Sequence, residues 1–144
     1  METMKKESVQ PVISVVMPAY QAKQYIGQAI ASVQSQTCEQ AWELLVIDDC
    51  STDGTMEAVR AYAADPRIRY VRQRKNRGVA AARNLGIRLA RGAYVAFLDA
   101  DDWWEEDKLR LQMERMARTE AVLVCTGREL MHPDGTPQGR VIGV

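Results

Sequence analysis

Asp99, Asp101 and Asp102 stand together directly after the apolar run Ala93-Tyr94-Val95-Ala96-Phe97-Leu98. Two unit charges about 4 Å apart repel by about 1 kcal/mol in water and by about 4 kcal/mol at the lower effective dielectric of a protein surface. Such crowding suggests a cation among them. Ligands that are all oxygen favour Mg²⁺ or Mn²⁺ over zinc, and Mg²⁺ is commonly held by one or two carboxylates together with substrate phosphates. The same acids could instead cap and start a helix after Trp104, as aspartates often do. Three acids in so short a stretch exceed what one cap needs, which favours the metal reading.

The elements that must position these acids can be read on either side of them. The apolar run between Gly92 and the acids reads as a strand buried on both faces, so the carboxylates emerge where ligands bind in an open α/β sheet. Ile13 to Met17 is a second apolar, β-branched run that Pro18 is expected to end, with Pro18-Ala19-Tyr20-Gln21 as a strand-to-helix loop. Tyr25, Ile26, Ala29, Ile30 and Val33 recur at helical spacing and predict a helix over 24–36. Trp42 to Ile47 reads as an apolar third strand closing on Asp48-Asp49. The cap-rich Cys50-Ser51-Thr52-Asp53-Gly54-Thr55 leads into a helix carrying Met56, Val59 and Tyr62, which Asp65-Pro66 ends.

Ile68 to Val71 alternates with arginines and suits a sheet edge. Gly78 to Leu89 predicts a helix, with Arg91-Gly92 as its cationic last turn and glycine stop. Leu109, Met113 and Met116 mark a further helix, and Ala121 to Thr126 reads as another buried strand. Pro133-Asp134-Gly135 marks a turn, and Val141 to Val144 could start a return strand. Strands alternating with helices imply a largely parallel sheet with right-handed crossovers.

The totals bound the function. A chain of 144 residues, 47% hydrophobic, can bury one core: a tail over 1–11 and one domain over 12–144 are expected. Nineteen basic and nineteen acidic residues cancel, which argues against bulk attraction to nucleic acid or membrane. Arg67, Arg69, Arg72, Arg74, Lys75 and Arg77 nevertheless fall together. A solvated face explains that run, although one or two members could approach a diphosphate. Cys38, Cys50 and Cys125 are odd in number and too far apart for a CxxC pair, which fits a reducing compartment. No run approaches the roughly 18 apolar residues of a bilayer span, and Met1 to Gln10 lacks a signal peptide's apolar centre. The expected location is cytoplasmic, with peripheral contact at the inner face of the membrane left open.

Three strand ends thus carry distinctive loops, Pro18-Ala19-Tyr20, Asp48-Asp49 and Asp99-Ala100-Asp101-Asp102. If the strands are parallel neighbours, the loops form one cleft, in which an aromatic ring, a carboxylate and a metal site could hold a nucleoside diphosphate. Over about residues 12 to 135 the sequence resembles the family 2 inverting glycosyltransferases of the GT-A fold. Ser14-Val15-Val16-Met17-Pro18-Ala19-Tyr20 and Val46-Ile47-Asp48-Asp49 running through Thr55 carry the first half of the match. Asn76-Arg77-Gly78 with Ala82-Arg83-Asn84, and Phe97-Leu98-Asp99-Ala100-Asp101-Asp102, carry the second. A lone DxD is weak evidence, but these pieces stand in family order and at family spacing.

The resemblance implies a Rossmann-like, three-layer α/β/α domain with a mostly parallel sheet, truncated at the acceptor side. It implies that Pro18, Ala19 and Tyr20 line the nucleobase pocket, that Asp49 accepts the base N–H of a UDP-sugar, and that Gly78 and Arg83 lie near the diphosphate. Asp99 and Asp101 match the DxD pair, Asp99 with Ala100 toward the ribose or metal and Asp101 on the metal, with Asp102 assisting. Tyr20 as core filler, Asp53 as a helix cap and Arg83 as a tie between loops are the plainer readings of those residues. Asp48 is read as orienting its loop.

The implied reaction displaces a nucleoside diphosphate from the sugar's anomeric carbon with inversion, with Mn²⁺ or Mg²⁺ on the leaving group and a carboxylate as general base. That base is expected beyond Val144, since Glu129 and Asp134 come too early. A nucleotide-sugar-binding module without turnover is the alternative. The donor sugar is unspecified, the acceptor is an unidentified carbohydrate or lipid-linked group, and an unfinished sheet edge near Val144 leaves room for self-association.

Two departures from the family pattern stand out. Gln21 follows Tyr20 where Asn is common, and Cys50 stands where many members have Gly, at a cost of about 1 kcal/mol if φ there is positive. A receiver-like phosphoacceptor is disfavoured because Pro18-Ala19-Tyr20, not an acid pair, follows the first strand. A nucleotidyltransferase is disfavoured because no glycine-rich basic loop lies between Pro18 and Gln28.

Overall fold

The computed structural model describes residues 10–143, which form two compact units that meet in sequence at Arg110 and Leu111. The expected tail over 1–11 falls almost wholly outside the described residues, as does Val144.

The first unit is built on a four-stranded sheet in the order β3-β2-β1-β4, every pair parallel: β1 Ile13–Ala19, β2 Trp42–Asp48, β3 Ile68–Arg72 and β4 Tyr94–Phe97. All of β1 and β2 is buried, which is why these strands read as near-continuous apolar runs. Helices α1 (Ile26–Gln34) and α2 (Thr55–Arg60) connect β1 to β2 and β2 to β3, moving one way across the sheet, and α3 (Val79–Leu89) returns the chain past β1 to β4. Right-handed crossovers therefore place α1 and α2 on one face and α3 on the other, giving the three layers expected. On the α3 face, Val16, Leu45, Ile47 and Ala82 form a buried cluster with Val71, Leu85, Leu89 and Ala90 packed against it. On the α1 side, Tyr62 donates its hydroxyl proton to the Gly27 carbonyl at 3.0 Å, joining the α2 segment to α1.

Several expectations need correction. Pro18 does not end β1, which continues to Ala19 with Pro18 opposite Ile47. The carbonyls of Val12, just before β1, and of Val16 accept from Tyr94 and Leu98 on the β4 side, whereas that of Ala19 accepts from Asp49 on the β2 side. Pro18, in step with Val12 and Val16, thus turns its missing N–H toward the side where β4 has already ended at Phe97, and no ladder bond is lost. β4 is not buried on both faces: Tyr94, Val95 and Phe97 are 38%, 39% and 47% exposed, and among the described strands β4 lies at an edge of the sheet beside β1.

Trp42 to Ile47 is not uniformly apolar in role, since it contains Glu43, which is 1% exposed. Its carboxylate accepts from the Ser14 hydroxyl (2.7 Å), from the Arg91 backbone N–H (2.8 Å), from Arg91 Nε and Nη2 (2.9 and 2.7 Å) and from Arg69 Nη1 (3.0 Å). Arg91 therefore does not close the last turn of α3 but leaves it to meet Glu43. Gly92 is required by close approach rather than by a turn, because a Cβ there would lie 2.8 Å from the backbone of Ile13 and Ser14. Burial pushes the Glu43 carboxyl up, but the hydrogen bonds from Arg91, Ser14 and Arg69 outweigh it and hold it at about 2. The basic run is correspondingly not all a solvated face. Arg69 is paired with Glu43, Arg67 lies 3.8 Å over the Trp42 ring and bonds Asp65, and Arg72 donates to the Ser51 carbonyl at 2.9 Å.

The helix after the acids, α4, spans Lys108–Arg118. In the second unit the buried strand expected over Ala121 to Thr126 is absent: Val122 and Leu123 are 94% and 76% exposed, and no described strand pairs with them. That unit's sheet is instead an antiparallel hairpin of β5 (Arg128–Met131) and β6 (Pro137–Ile142), closed by the turn expected at Pro133-Asp134-Gly135. There the Asp134 carboxylate accepts the Thr136 N–H at 2.9 Å. The return strand begins at Pro137, earlier than the Val141 expected. Among the described residues no helix is long and apolar enough to cross a membrane.

Candidate functional site

The crossover direction reverses between β1 and β4, so the crevice at their carboxyl ends is the place in this topology where a ligand fits. Two adjoining clefts open there. The first, about 270 Å³, is lined by Pro18, Ala19, Tyr20, Asp49, Asn76, Gly78, Val79 and Ala82. The second, about 240 Å³, is lined by Asp99, Ala100 and Asp101 together with Gln21 and Tyr25. Pro18, Tyr20 and Val79 line both, which makes one groove of two compartments. Tyr20 is 56% exposed, so its ring belongs to the groove and is not core filler.

The loop after β1 is held by the loop after β2. The Ser51 hydroxyl accepts the Gln21 N–H (2.9 Å), the Thr55 hydroxyl accepts the Ala22 N–H (3.0 Å), and the Asp53 carboxylate accepts the Lys23 N–H (3.1 Å). Gln21 reciprocates by accepting the Thr52 N–H at 2.8 Å. Asp53, one residue before the N-cap Gly54, also accepts the Thr55 N–H and hydroxyl at 3.0 and 2.6 Å, so it holds the first residue of α2 while bracing the neighbouring loop. These bonds, led by that of the Thr55 hydroxyl, hold the Asp53 carboxyl below the usual range. The cap-rich composition was visible in sequence; its second duty, across some thirty residues, was not.

Gln21 and Cys50 are the non-glycine residues with positive φ among those described, at 51° and 71°. Both departures from the family pattern thus fall where the left-handed region favours Asn or Gly.

Asp48 is fully buried and turns away from the groove. It accepts the Ser51 N–H at 2.9 Å and the Tyr70 hydroxyl, and burial together with this carboxylate pushes the Tyr70 phenol well above its ordinary range. Asp49, 3% exposed, lines the first cleft. Its Oδ1 accepts from Gln73 Nε2 and the Arg77 N–H, both at 2.8 Å, and its Oδ2 from the Gly78 N–H at 2.7 Å. Gly78 precedes α3 with φ 85° and ψ 164°, a conformation open to glycine, and this is what turns its N–H onto Asp49.

At the acidic end, Arg83 of α3 donates to Asp99 Oδ1 at 2.6 Å, with the two side chains 37% and 44% exposed. Arg83 therefore ties α3 to the loop after β4, the plainer of its two expected roles. Ala100 is buried, Asp101 is exposed, and the Asp102 N–H donates to the Asp99 carbonyl at 3.1 Å, folding the three acids into one turn. Among the described residues no three Asp, Glu, His or Cys side chains converge into a cluster able to hold a metal ion alone. The donor set is nonetheless all oxygen, with Asp99 and Asp101 on the cleft. It fits an ion that takes part of its coordination from a bound diphosphate and water.

A family model described as glycosyl transferase family 2 matches residues 14–142. TuaG of Bacillus subtilis (strain 168), which bears the name of a teichuronic acid biosynthesis glycosyltransferase, is 44% identical over 133 residues, covering 92% of this chain and 52% of TuaG. The chain thus spans about half the length of that relative. The structure of Staphylococcus aureus TarS 1–349 in complex with UDP is similar at a TM-score of 0.69 and 29% identity, over 74% of this chain and 32% of that one. The mannosyltransferase PcManGT of Pyrobaculum calidifontis, in complex with GDP-Man and Mn²⁺, is similar at a TM-score of 0.68 and 31% identity, over 75% of this chain and 33% of that one.

Proposed function

The chain belongs to glycosyl transferase family 2, and we propose that it is the donor-binding part of an enzyme that transfers a sugar from a UDP-linked donor to an acceptor hydroxyl with inversion. The observation that carries this reading is the shared lining of the two clefts: Asp49 at one end and Asp99 with Asp101 at the other open on one groove through Pro18, Tyr20 and Val79. In this reading uracil stacks on Tyr20 and gives its N–H to Asp49, and the diphosphate extends toward Asp101. TarS, similar in fold and solved with UDP, supports uridine; GDP-Man in PcManGT makes guanosine the competitor to test.

Asp101 and Asp99, with Asp102, would hold Mn²⁺ or Mg²⁺, which when bound neutralises the charge that grows on the diphosphate leaving group. Arg83 keeps Asp99 in place, and Gly78 at the start of α3 lets the backbone approach the donor without a Cβ in the way. None of the carboxylates lining the two clefts is assigned the removal of the acceptor's proton. A second reading is nucleotide-sugar binding without turnover by this chain; it is supported by the cleft linings, whose carboxylates Asp49, Asp99 and Asp101 are all assigned to the donor in this proposal.

Calorimetric titration tests the proposal. UDP binding is expected to strengthen on adding Mn²⁺ or Mg²⁺, to lose that dependence in Asp101→Ala, and to exceed GDP binding. Equal UDP affinity in chelator and in metal would overturn the metal assignment, and tighter GDP binding would overturn the uridine assignment.

A further inference from the structure

Resting on the reading of Asp49 as the acceptor of a base N–H, we propose that Gln73 is a positioning residue. It makes the cleft select a nucleobase whose ring nitrogen donates a proton, as in uracil, over one whose ring nitrogen accepts, as in cytosine.

The argument is a count of lone pairs. A carboxylate offers about four acceptor sites, two on each oxygen. Both sites on Asp49 Oδ1 are taken, one by Gln73 Nε2 and one by the Arg77 N–H, each at 2.8 Å. On Oδ2 one is taken, by the Gly78 N–H at 2.7 Å. Among the described residues no further donor meets Asp49, so the remaining site lies on Oδ2, and because the residue is 3% exposed and lines the cleft, the cleft is where a further donor can reach it. An ionised carboxylate has no proton to give; the lone pair of an accepting ring nitrogen would face it without a bond.

Of the three donors on Asp49 among the described residues, two are backbone N–H groups and the third is the Gln73 side chain. Gln73 is itself anchored, because its N–H donates to the Asp48 carbonyl at 2.8 Å, just past the end of β3. Without its amide, Oδ1 regains a lone pair. The broad, two-fold torsion of an aspartate carboxylate then lets the open site drift between the two oxygens. The Gln73 amide thus keeps the vacancy at one place and in acceptor form.

The test titrates the full 144-residue chain with UDP and with CDP in Mn²⁺, comparing wild type with Gln73→Leu and Gln73→Glu. Wild type is expected to prefer UDP. Gln73→Leu should lower UDP affinity about tenfold, the scale of one hydrogen bond to a charged group, while CDP affinity changes less. Gln73→Glu replaces the amide donor by a second carboxylate, whose repulsion displaces that of Asp49, and the UDP-to-CDP ratio should fall toward one. A role confined to holding the loop would weaken both nucleotides alike. Unchanged UDP-to-CDP ratios in both variants, with wild type still binding UDP, would overturn the role of Gln73 alone. Absence of UDP binding by wild type would overturn the donor-cleft reading and this inference with it. Should Gln73→Glu fail to fold, the ratio in Gln73→Leu decides.

Discussion

Replacing Glu43 by glutamine should unsettle the whole first unit while leaving the shape of the side chain intact. The carboxylate meets the Ser14 hydroxyl, the Arg91 N–H and guanidinium, and the Arg69 guanidinium, at 2.7–3.0 Å. Glutamine has one carbonyl oxygen to offer them, and its NH₂ would face donors. Removing one partner of a buried ionic cluster typically costs about 3–5 kcal/mol, against total stabilities of about 5–15 kcal/mol. A separate route gives a similar size. The fall from an ordinary value of 4.5 to about 2, at about 1.4 kcal/mol for each tenfold change in proton affinity, corresponds to about 3 kcal/mol.

The sign follows from the folded value lying below the unfolded one. The contribution is fully present above 4.5 and is lost as pH falls through about 2. Urea denaturation at neutral pH and at steps down into that range measures both quantities. Wild type should lose about 3 kcal/mol across the window, and Glu43→Gln should begin about that much lower and show a flatter acid limb. A variant within about 1 kcal/mol of wild type, with the same acid slope, would refute the reasoning.

Further outcomes follow from the groove and its loops. Tyr20→Ala should weaken UDP binding about tenfold, since base–aromatic stacking contributes about 1–3 kcal/mol per base. It should leave thermal unfolding nearly unchanged because the ring is 56% exposed; calorimetry and melting curves read the two effects separately. Cys50→Asn should raise stability in urea by about 0.5–1 kcal/mol, because asparagine tolerates the left-handed backbone that cysteine adopts there at φ 71°. Equal or lower stability would show that the Cys50 thiol, 3.9 Å from Arg72 Nη2, matters more than the backbone.

The strands and helices of the first unit were legible because each carries one period of apolar residues between strong punctuation, as Asp65-Pro66 does before β3. The burial of β4 was misread for a definite reason: an apolar run does not say whether a layer packs over each face of its strand. Pro18 misled similarly, since a sequence does not say which way a missing N–H would have pointed. Glu43 was invisible as a lone acid inside an apolar stretch, although Arg69 and Arg91, its partners from distant segments, were both in view. At the site, the acids and Tyr20 announced themselves by type and position. The contacts of Asp49 with Gln73, Arg77 and Gly78 did not, because they join segments 24 to 29 residues apart and two of them come from backbone N–H groups that leave no mark in a sequence.

The lacing of 21–23 to 51–55 turns two loops into a single mechanical part. A residue inserted in either loop would pull its partners out of register with the other, so changes in loop length here should be tolerated only in matched pairs. Variation in this protein's lineage would then concentrate on the identities of Gln21 and Cys50, which tune the turn, rather than on the spacing that surrounds them.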